Sequence, residues 1–311
     1  MPNCLFCYKD ALDQEYHARC AKRFFNTEVM PELELDNQLL KDLAARTINK
    51  HIAVTGVQPK LSVTLEKNKG NGRLTIVGLW GEYILKPQHK EYSAMPETED
   101  LTMHLAEIFG ISVCNHTLLR ATDGTLVYIA RRFDRIKRRK IHVEDFCQLS
   151  EFLTENKYKG SYERSGKLIQ EYCTNSGLDV LRYFELLVFC YLTGNNDMHL
   201  KNFSLLHLEN SVALSPAYDL LNVNLVFPKD QEEMALLLNG KKKNIKLRDF
   251  EALAIVLNIP EKVRSNIYKK FKSHNIEVLE MINASFLNEE LKKAYWDIWN
   301  KKQKIFEPLS E

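Results

Sequence analysis

No run of the 311-residue chain is apolar for long enough to cross a membrane; Leu186 to Leu192 falls well short of the about 20 residues a spanning helix needs. The N-terminus lacks a basic stretch followed by an apolar core, so nothing reads as a secretory signal. An excess of one charge is missing too. With 43 basic and 41 acidic residues, the net charge of +2 argues neither for nor against a nucleic-acid partner. There are no internal repeats, and no low-complexity segment beyond the cluster Lys241-Lys242-Lys243. A disulfide framework is also absent. Seven cysteines is an odd number, and three fall within the first twenty residues, which fits metal binding plus buried thiols better than paired bridges. The expected location is the cytoplasm, with no membrane partner.

The chain does have ordinary globular composition, 45% hydrophobic and 27% charged, at a length that supports a sizeable core and two lobes. It is organised around one stretch, Leu192-Thr193-Gly194-Asn195-Asn196-Asp197-Met198-His199-Leu200-Lys201-Asn202-Phe203. An apolar, helix-like run from Leu178 to Leu192 feeds into it, and Gly194 with two asparagines stops that helix. There follow an acid, Asp197, and a carboxamide, Asn202. A second acid, Asp219, stands in Ser215-Pro216-Ala217-Tyr218-Asp219. Phosphoryl transfer needs this set: one carboxylate to orient and deprotonate the attacking hydroxyl, an amide oxygen and another acid to hold metal ions on the nucleotide phosphates. Taken singly, each residue has a bland reading as a cap, a turn or a solvated acid. Together, with Lys201 adjacent and His199 between, they read as a kinase site, with Asp197, His199 and Lys201 as the catalytic candidates.

Taken from the start, Cys4-x2-Cys7 and His17-x2-Cys20 have the spacing of a tetrahedral zinc knuckle, with a structural role because all four positions are protein ligands. The bland alternative is three small buried hydrophobes and a surface histidine. The segment is too short to build its own core, which favours the metal. Residues 31–50 read as an amphipathic helical connector through Leu33, Leu35, Leu39, Leu40 and Leu43. From His51 to Leu65 the pattern is strand, loop, strand, and a second hairpin spans Leu74–Val77 and Glu82–Leu85. That last strand ends in Lys86-Pro87, where a lysine can neutralise phosphates as a point charge or simply snorkel to solvent. A helix over 97–109 carries Glu97 and Glu99 in its first turn; Glu99 is the expected partner of Lys86. The run Arg131 to Lys140 reads as a solvated hairpin. The crossing Glu144-Asp145-Phe146-Cys147 is where an adenine would bond backbone, so Glu144 and Phe146 join the ATP-binding candidates. Residues 154–177, polar and rich in Gly, Ser, Lys and Tyr, read as a mobile surface segment. Helices are expected at about 247–257, 261–272 and 288–304.

In this order the parts Gly56-Val57-Gln58-Pro59-Lys60, Ile84-Leu85-Lys86-Pro87, Arg132-Phe133-Asp134-Arg135, Gly194 to Ser204 and Pro216-Ala217-Tyr218-Asp219 resemble HipA-family serine/threonine kinase toxins over roughly residues 50–310. The resemblance implies an α+β, two-lobed protein-kinase-like fold: a putting-together of residues 1–30 as the Cys/His knuckle, 31–148 as a small mixed lobe and 149–311 as a helical lobe. It implies ATP and Mg2+ as cofactors. Thr55, Gly56, Val57, Gln58 and Lys60 would cover the phosphates, and Lys86 would contact the α- or β-phosphate. Asp197 would be the base, and Asn202 and Asp219 would hold the metal. An aminoacyl-tRNA synthetase is the implied protein substrate. A helix-turn-helix antitoxin is the implied partner, with DNA reached only through it. The chain resembles a short form whose extra N-terminal domain is supplied by a separate small protein. The family's autophosphorylated serine is replaced by Ala53, which leaves Thr55 as the candidate self-modification site. Two other readings stand beside this one: a small-molecule phosphotransferase, and a pseudokinase joined to a zinc knuckle that only binds.

Overall fold

The computed structural model describes residues 3–12, 14–31, 33, 35–36, 38–43, 60–68, 71–77, 80–136 and 139–307. The chain divides into two compact units. The first is Met1–Leu101 with Cys114–Arg138 and Asn283–Leu287; the second is Thr102–Val113 with Arg139–Ile282 and Asn288–Glu311. Thr55, Gly56, Val57 and Gln58 lie outside the described residues, as does most of the expected connector; within it, 38–43 is helical and Asp36 caps the turn, its Oδ1 accepting from Leu39 N–H at 2.7 Å.

The first unit is built on an antiparallel sheet of β1 (Leu61–Asn68), β2 (Asn71–Ile76), β3 (Tyr83–Lys86), β4 (His116–Arg120) and β5 (Leu126–Arg131), in the order β2-β1-β3-β5-β4. β1 alternates buried Leu61 and Val63 with the half-exposed Ser62 and Thr64, as a strand with one covered face should. β5 sits inside the sheet, and its run Val127-Tyr128-Ile129 is buried on both faces. The first thirty residues are not left without a core; they borrow this one. Helix α1 (Ala18–Phe25) places Phe24 and Phe25 against Tyr83, with ring centroids 5.7 and 5.9 Å apart. Leu5 C=O accepts from Thr117 Oγ1 at 3.0 Å, and Tyr8 packs edge-on against Phe286.

The charged run after β5 is also less wet than its composition predicts. Arg132 grips Asp134 through Nε at 2.9 Å and Nη2 at 2.8 Å, while Arg135 Nη1 reaches the same carboxylate at 2.5 Å. Burial pushes the Asp134 carboxyl up, but the Arg132 and Arg135 bonds and charges outweigh it and hold it below the usual range. Opposite charges close in sequence let these side chains leave water together.

The second unit surrounds helix α5 (Ser176–Leu192), apolar on every side through Val180, Tyr183, Phe184 and Leu186–Leu192. Phe109 packs on Phe189 and Phe271, with centroids 6.1 and 4.6 Å away, and Phe184 meets Phe250 edge-on. A three-stranded antiparallel sheet of β6 (His142–Asp145), β7 (Ser204–Leu208) and β8 (Ser211–Leu214) flanks it, with β7 central. Helices Leu247–Val256, Glu261–Ser273 and Glu289–Gln303 stand where periodicity predicts them, and Asn275–Ala284 adds one it does not. The segment 154–177 is a correction. It contains helix Tyr162–Tyr172, capped by Ser161 and buried at Tyr162, Ser165, Gly166 and Ile169. A methyl group at Gly166 would stand 2.5 Å from a Leu257 methyl carbon, so a residue that looks like a flexible joint is a packing contact.

Candidate active site

Helix α5 ends in a Schellman motif. Gly194 N–H donates to Tyr191 C=O at 3.1 Å and Asn195 N–H to Cys190 C=O at 2.8 Å, with Gly194 left-handed at φ 68°. A Cβ there would also sit 2.9 Å from Asn222 Oδ1 and from Asn224 Oδ1, so two independent constraints demand glycine. The turn delivers Asp197 just beyond the buried C-terminal turns of that helix, Leu186–Leu192. Tyr162 Oη donates to Met198 C=O at 3.1 Å and Asn196 Nδ2 to Glu232 C=O at 2.7 Å, which pin the backbone on either side of the acid.

Asn202 Nδ2 donates to Asp197 C=O at 3.0 Å, so the amide's oxygen is the end left over for a cation. Asp219 follows Tyr218, whose hydroxyl donates to Lys201 C=O at 2.9 Å and lies 2.6 Å from Ser204 Oγ; that phenol ties the second acid to the 3-10 turn Leu200–Asn202 that carries the amide and to the start of β7. Asp219 itself is left-handed at φ 56°, a conformation aspartate tolerates better than most residues. His199 is buried, and burial pushes its imidazole below the usual value against the upward pull of Asp197 and, more weakly, Asp219. Both acids therefore act on one ring. Hard oxygen donors from an amide and a carboxylate suit magnesium, so the residues present fit that ion.

Asp197 Oδ1 accepts a 2.6 Å hydrogen bond from the hydroxyl of Tyr158, whose ring lies edge-on to His199 at 5.0 Å. Nothing in the sequence marks Tyr158, since the pairing spans a loop and a turn with no shared periodicity. His199 Nδ1 is buried with no hydrogen-bond partner among the described residues, and the ring packs against Tyr158. Lys201 Nζ is 2.6 Å from Asp145 Oδ2, a residue sequence reasoning passed over, and Asp145 also caps the short helix Phe146–Leu149. Phe146 N–H donates to Phe203 C=O at 3.0 Å, its C=O accepts from Ser150 N–H, and its ring is buried against Phe203. The Glu144 side chain turns to His207 and His142.

In the first unit, Lys86 ends β3 and is buried with Glu99, Nζ to Oε1 2.5 Å, the two side chains 7% and 1% exposed. The Tyr128 ring lies 5.4 Å from Nζ, directly across the ladder from Lys86. Glu97, in the first turn of helix α2 (Met95–Ile108), is half-buried, with its Oε2 out of solvent. Burial raises its carboxyl to about 7, and its Oε2 has no hydrogen-bond partner among the described residues. Lys60, at the edge of the described chain, is exposed.

Cys4, Cys7, His17 and Cys20 converge, with one ligand atom from each within 4.8 Å of all the others. His17 Nδ1 is 3.4 Å from Cys7 Sγ and 3.6 Å from Cys20 Sγ, close to the about 3.5 Å edge of a tetrahedron with zinc–sulfur and zinc–nitrogen bonds. The other ring nitrogen, Nε2, lies 2.9 Å from Asp10 C=O, which fixes the tautomer that leaves Nδ1 as a ligand. Burial and the neighbouring Cys4 charge push the Cys20 thiol up to about 12; Cys4 falls below its usual value because backbone hydrogen bonds near His17 and Phe6 outweigh its burial. The donor set fits zinc. Tyr8, next to Cys7, donates to Asp100 Oδ2 at 2.8 Å, and His116 Nδ1 lies 2.6 Å from Asp100 Oδ1, so the knuckle is bonded to the helix that carries Glu99.

A strand-end lysine paired with a helix glutamate, and an acid–amide–acid set beyond a buried helix, define a kinase-like protein. The family model of the HipA-like C-terminal domain matches residues 52–278, and the chain belongs to that family. It is 35% identical over 214 residues to a putative kinase, Y4dM, of Sinorhizobium fredii, covering 64% of this chain and 51% of that protein. It is 25% identical over 218 residues to the serine/threonine-protein kinase toxin HipA of Shewanella oneidensis, covering 61% and 47%. The chain thus spans about half the length of these curated relatives. Its fold matches the Shewanella oneidensis HipA solved with HipB and operator DNA, with a TM-score of 0.68 at 21% identity over 89% of this chain and 72% of that one. The fold is HipA-like and kinase-like, α+β throughout. Among the described residues no helix is long and apolar enough to cross a membrane.

Proposed function

We propose that this chain is an ATP- and Mg2+-dependent serine/threonine protein kinase, acting as the toxin of a toxin–antitoxin system. The observation that carries the reading is the hydroxyl resting on Asp197: Tyr158 Oη donates to Oδ1 at 2.6 Å, the distance at which an acceptor hydroxyl must meet a general base. In the reaction Asp197 orients the acceptor oxygen and takes its proton. Asn202 and Asp219 would hold the metal, and Lys86, kept extended by Glu99, offers its charge to phosphate. When bound, magnesium ATP supplies the transferable phosphoryl group and the cation that offsets its charge. The cysteine cluster holds zinc in a structural role.

The same proposal assigns an aminoacyl-tRNA synthetase as substrate and a helix-turn-helix protein as antitoxin. The toxin name of the Shewanella relative and the antitoxin–DNA complex of its structural counterpart support the antitoxin half of this assignment; the synthetase rests on the sequence resemblance alone. Thr55 is proposed as a self-modification site, where a phosphate would add about two negative charges. The test is labelled ATP in whole lysate with wild-type protein and Asp197→Asn. Label on one protein band, absent with the variant, is expected. Label on small molecules alone would transfer the assignment to a small-molecule phosphotransferase, and no magnesium-dependent ATP binding would leave a binding module. Phosphoproteomics after brief expression identifies the substrate.

A further inference from the structure

A second cluster of Lewis bases lies in the second unit, and phosphoryl transfer makes no use of it. In the β6–β7 ladder His142 stands directly opposite His207. Glu144 is two residues along β6, so alternation puts all three side chains on one face. The imidazole centroids are 4.6 Å apart. Glu144 Oε2 is 2.7 Å from His207 Nε2 and 3.4 Å from His142 Nε2. One ligand atom from each residue lies within 4.8 Å of the other two.

The bland account is a surface ion pair, and one detail counts against it. His207 Nε2 is buried yet has no hydrogen-bond partner among the described residues, although a carboxylate oxygen lies 2.7 Å away. That oxygen is therefore off the axis along which the nitrogen would donate. Two bases this close without a hydrogen bond repel through their lone pairs unless a cation lies between them. A metal with bonds of about 2.0–2.2 Å to nitrogen and oxygen brings adjacent ligands to about 3 Å, near the separations seen.

The geometry points to a divalent transition-metal site formed by His142, Glu144 and His207. Two imidazoles and a carboxylate suit zinc, nickel or cobalt, whereas magnesium prefers all-oxygen shells. Unlike the cysteine cluster, this site has three protein ligands and a partly exposed rim, with His142 66% exposed, so water completes the shell and the ion exchanges. It would clamp β6 to β7 one residue before Asp145, whose carboxylate holds Lys201. The inference does not depend on the kinase reading.

The test uses the full-length chain, treated with a mild chelator and titrated with Co2+ and then with Zn2+. Cobalt reports the two environments separately, because thiolate ligation gives intense charge-transfer bands and nitrogen–oxygen ligation does not. Wild type is expected to bind one equivalent with thiolate bands and a second, weaker one without them. His207→Gln, and separately His142→Gln with Glu144→Gln, should weaken only the second by about 100-fold or more, since loss of even an outer-shell partner costs 10–100-fold. Unchanged thermal melting of metal-free variants, read alongside, shows that the fold is intact. A wild type with no second equivalent, or variants that bind it as tightly as wild type, would overturn the assignment.

Discussion

Lys86 and Asp197 are the two charged groups on which the proposed chemistry turns, and the protein treats them in opposite ways. Lys86 is dry, locked to Glu99 at 2.5 Å and roofed by Tyr128. Asp197 sits at the end of a rigid helix, but its carboxylate is bonded to a residue from an exposed segment. A buried pair is fixed before any ligand arrives, because neither partner can leave without stranding the other's charge. A base bonded to a surface tyrosine is open to exchange. The difference separates a group that must only be in place from one that must admit a succession of acceptors.

The contrast can be broken at either end. Replacing Asp197 with Asn should lower phosphoryl transfer by about 10²–10⁴-fold while leaving the melting temperature unchanged, since a general base contributes that much to rate and an amide keeps the bond to Tyr158. Glu99→Ala should do the reverse of this in stability: a loss of about 3–5 kcal/mol in denaturant unfolding, because it leaves a buried ammonium unpaired. Equal stability of the two variants would erase the distinction between them.

Glu97 sharpens the comparison within the first unit, as a half-buried acid without the ion pair that Glu99 has. Its folded-state value of about 7 lies above the unfolded one, so it binds its proton more tightly in the native state. Whatever stability this gives is complete at acid pH and is lost as pH rises through about 7. Glu97→Gln should therefore stabilise the protein at pH 8 by up to about 3 kcal/mol and scarcely at pH 4, measured as the difference in urea midpoints. The smallest effect belongs to Tyr158→Phe. It removes one hydrogen bond, worth about 1 kcal/mol, from the base, so acceptor phosphorylation at low acceptor concentration should rise about fivefold. A fall in that rate would mean that Tyr158 positions the base instead of holding its place.

Much of this was legible one segment at a time. The apolar run before Gly194 reads as a helix whose last two turns, Leu186–Leu192, are buried all round, and the stop reads because only glycine fits the turn. Lys86 and Glu99 are legible as a strand end and a helix start. Pairings between distant segments were not. His142 meets His207 only through the strand register, and Tyr158 meets Asp197 only through a turn. Helix Tyr162–Tyr172 was missed because its polar composition hides a face made of Tyr162, Ser165, Gly166 and Ile169, apolar by packing and not by pattern.

Tyr218 has a further consequence. Its single phenolic oxygen bridges the backbone at Lys201 and the side chain of Ser204, while its own Cα is bonded through one peptide to Asp219. The spacing of Asn202 and Asp219 along the chain is thereby gauged by the length of a rigid aromatic ring.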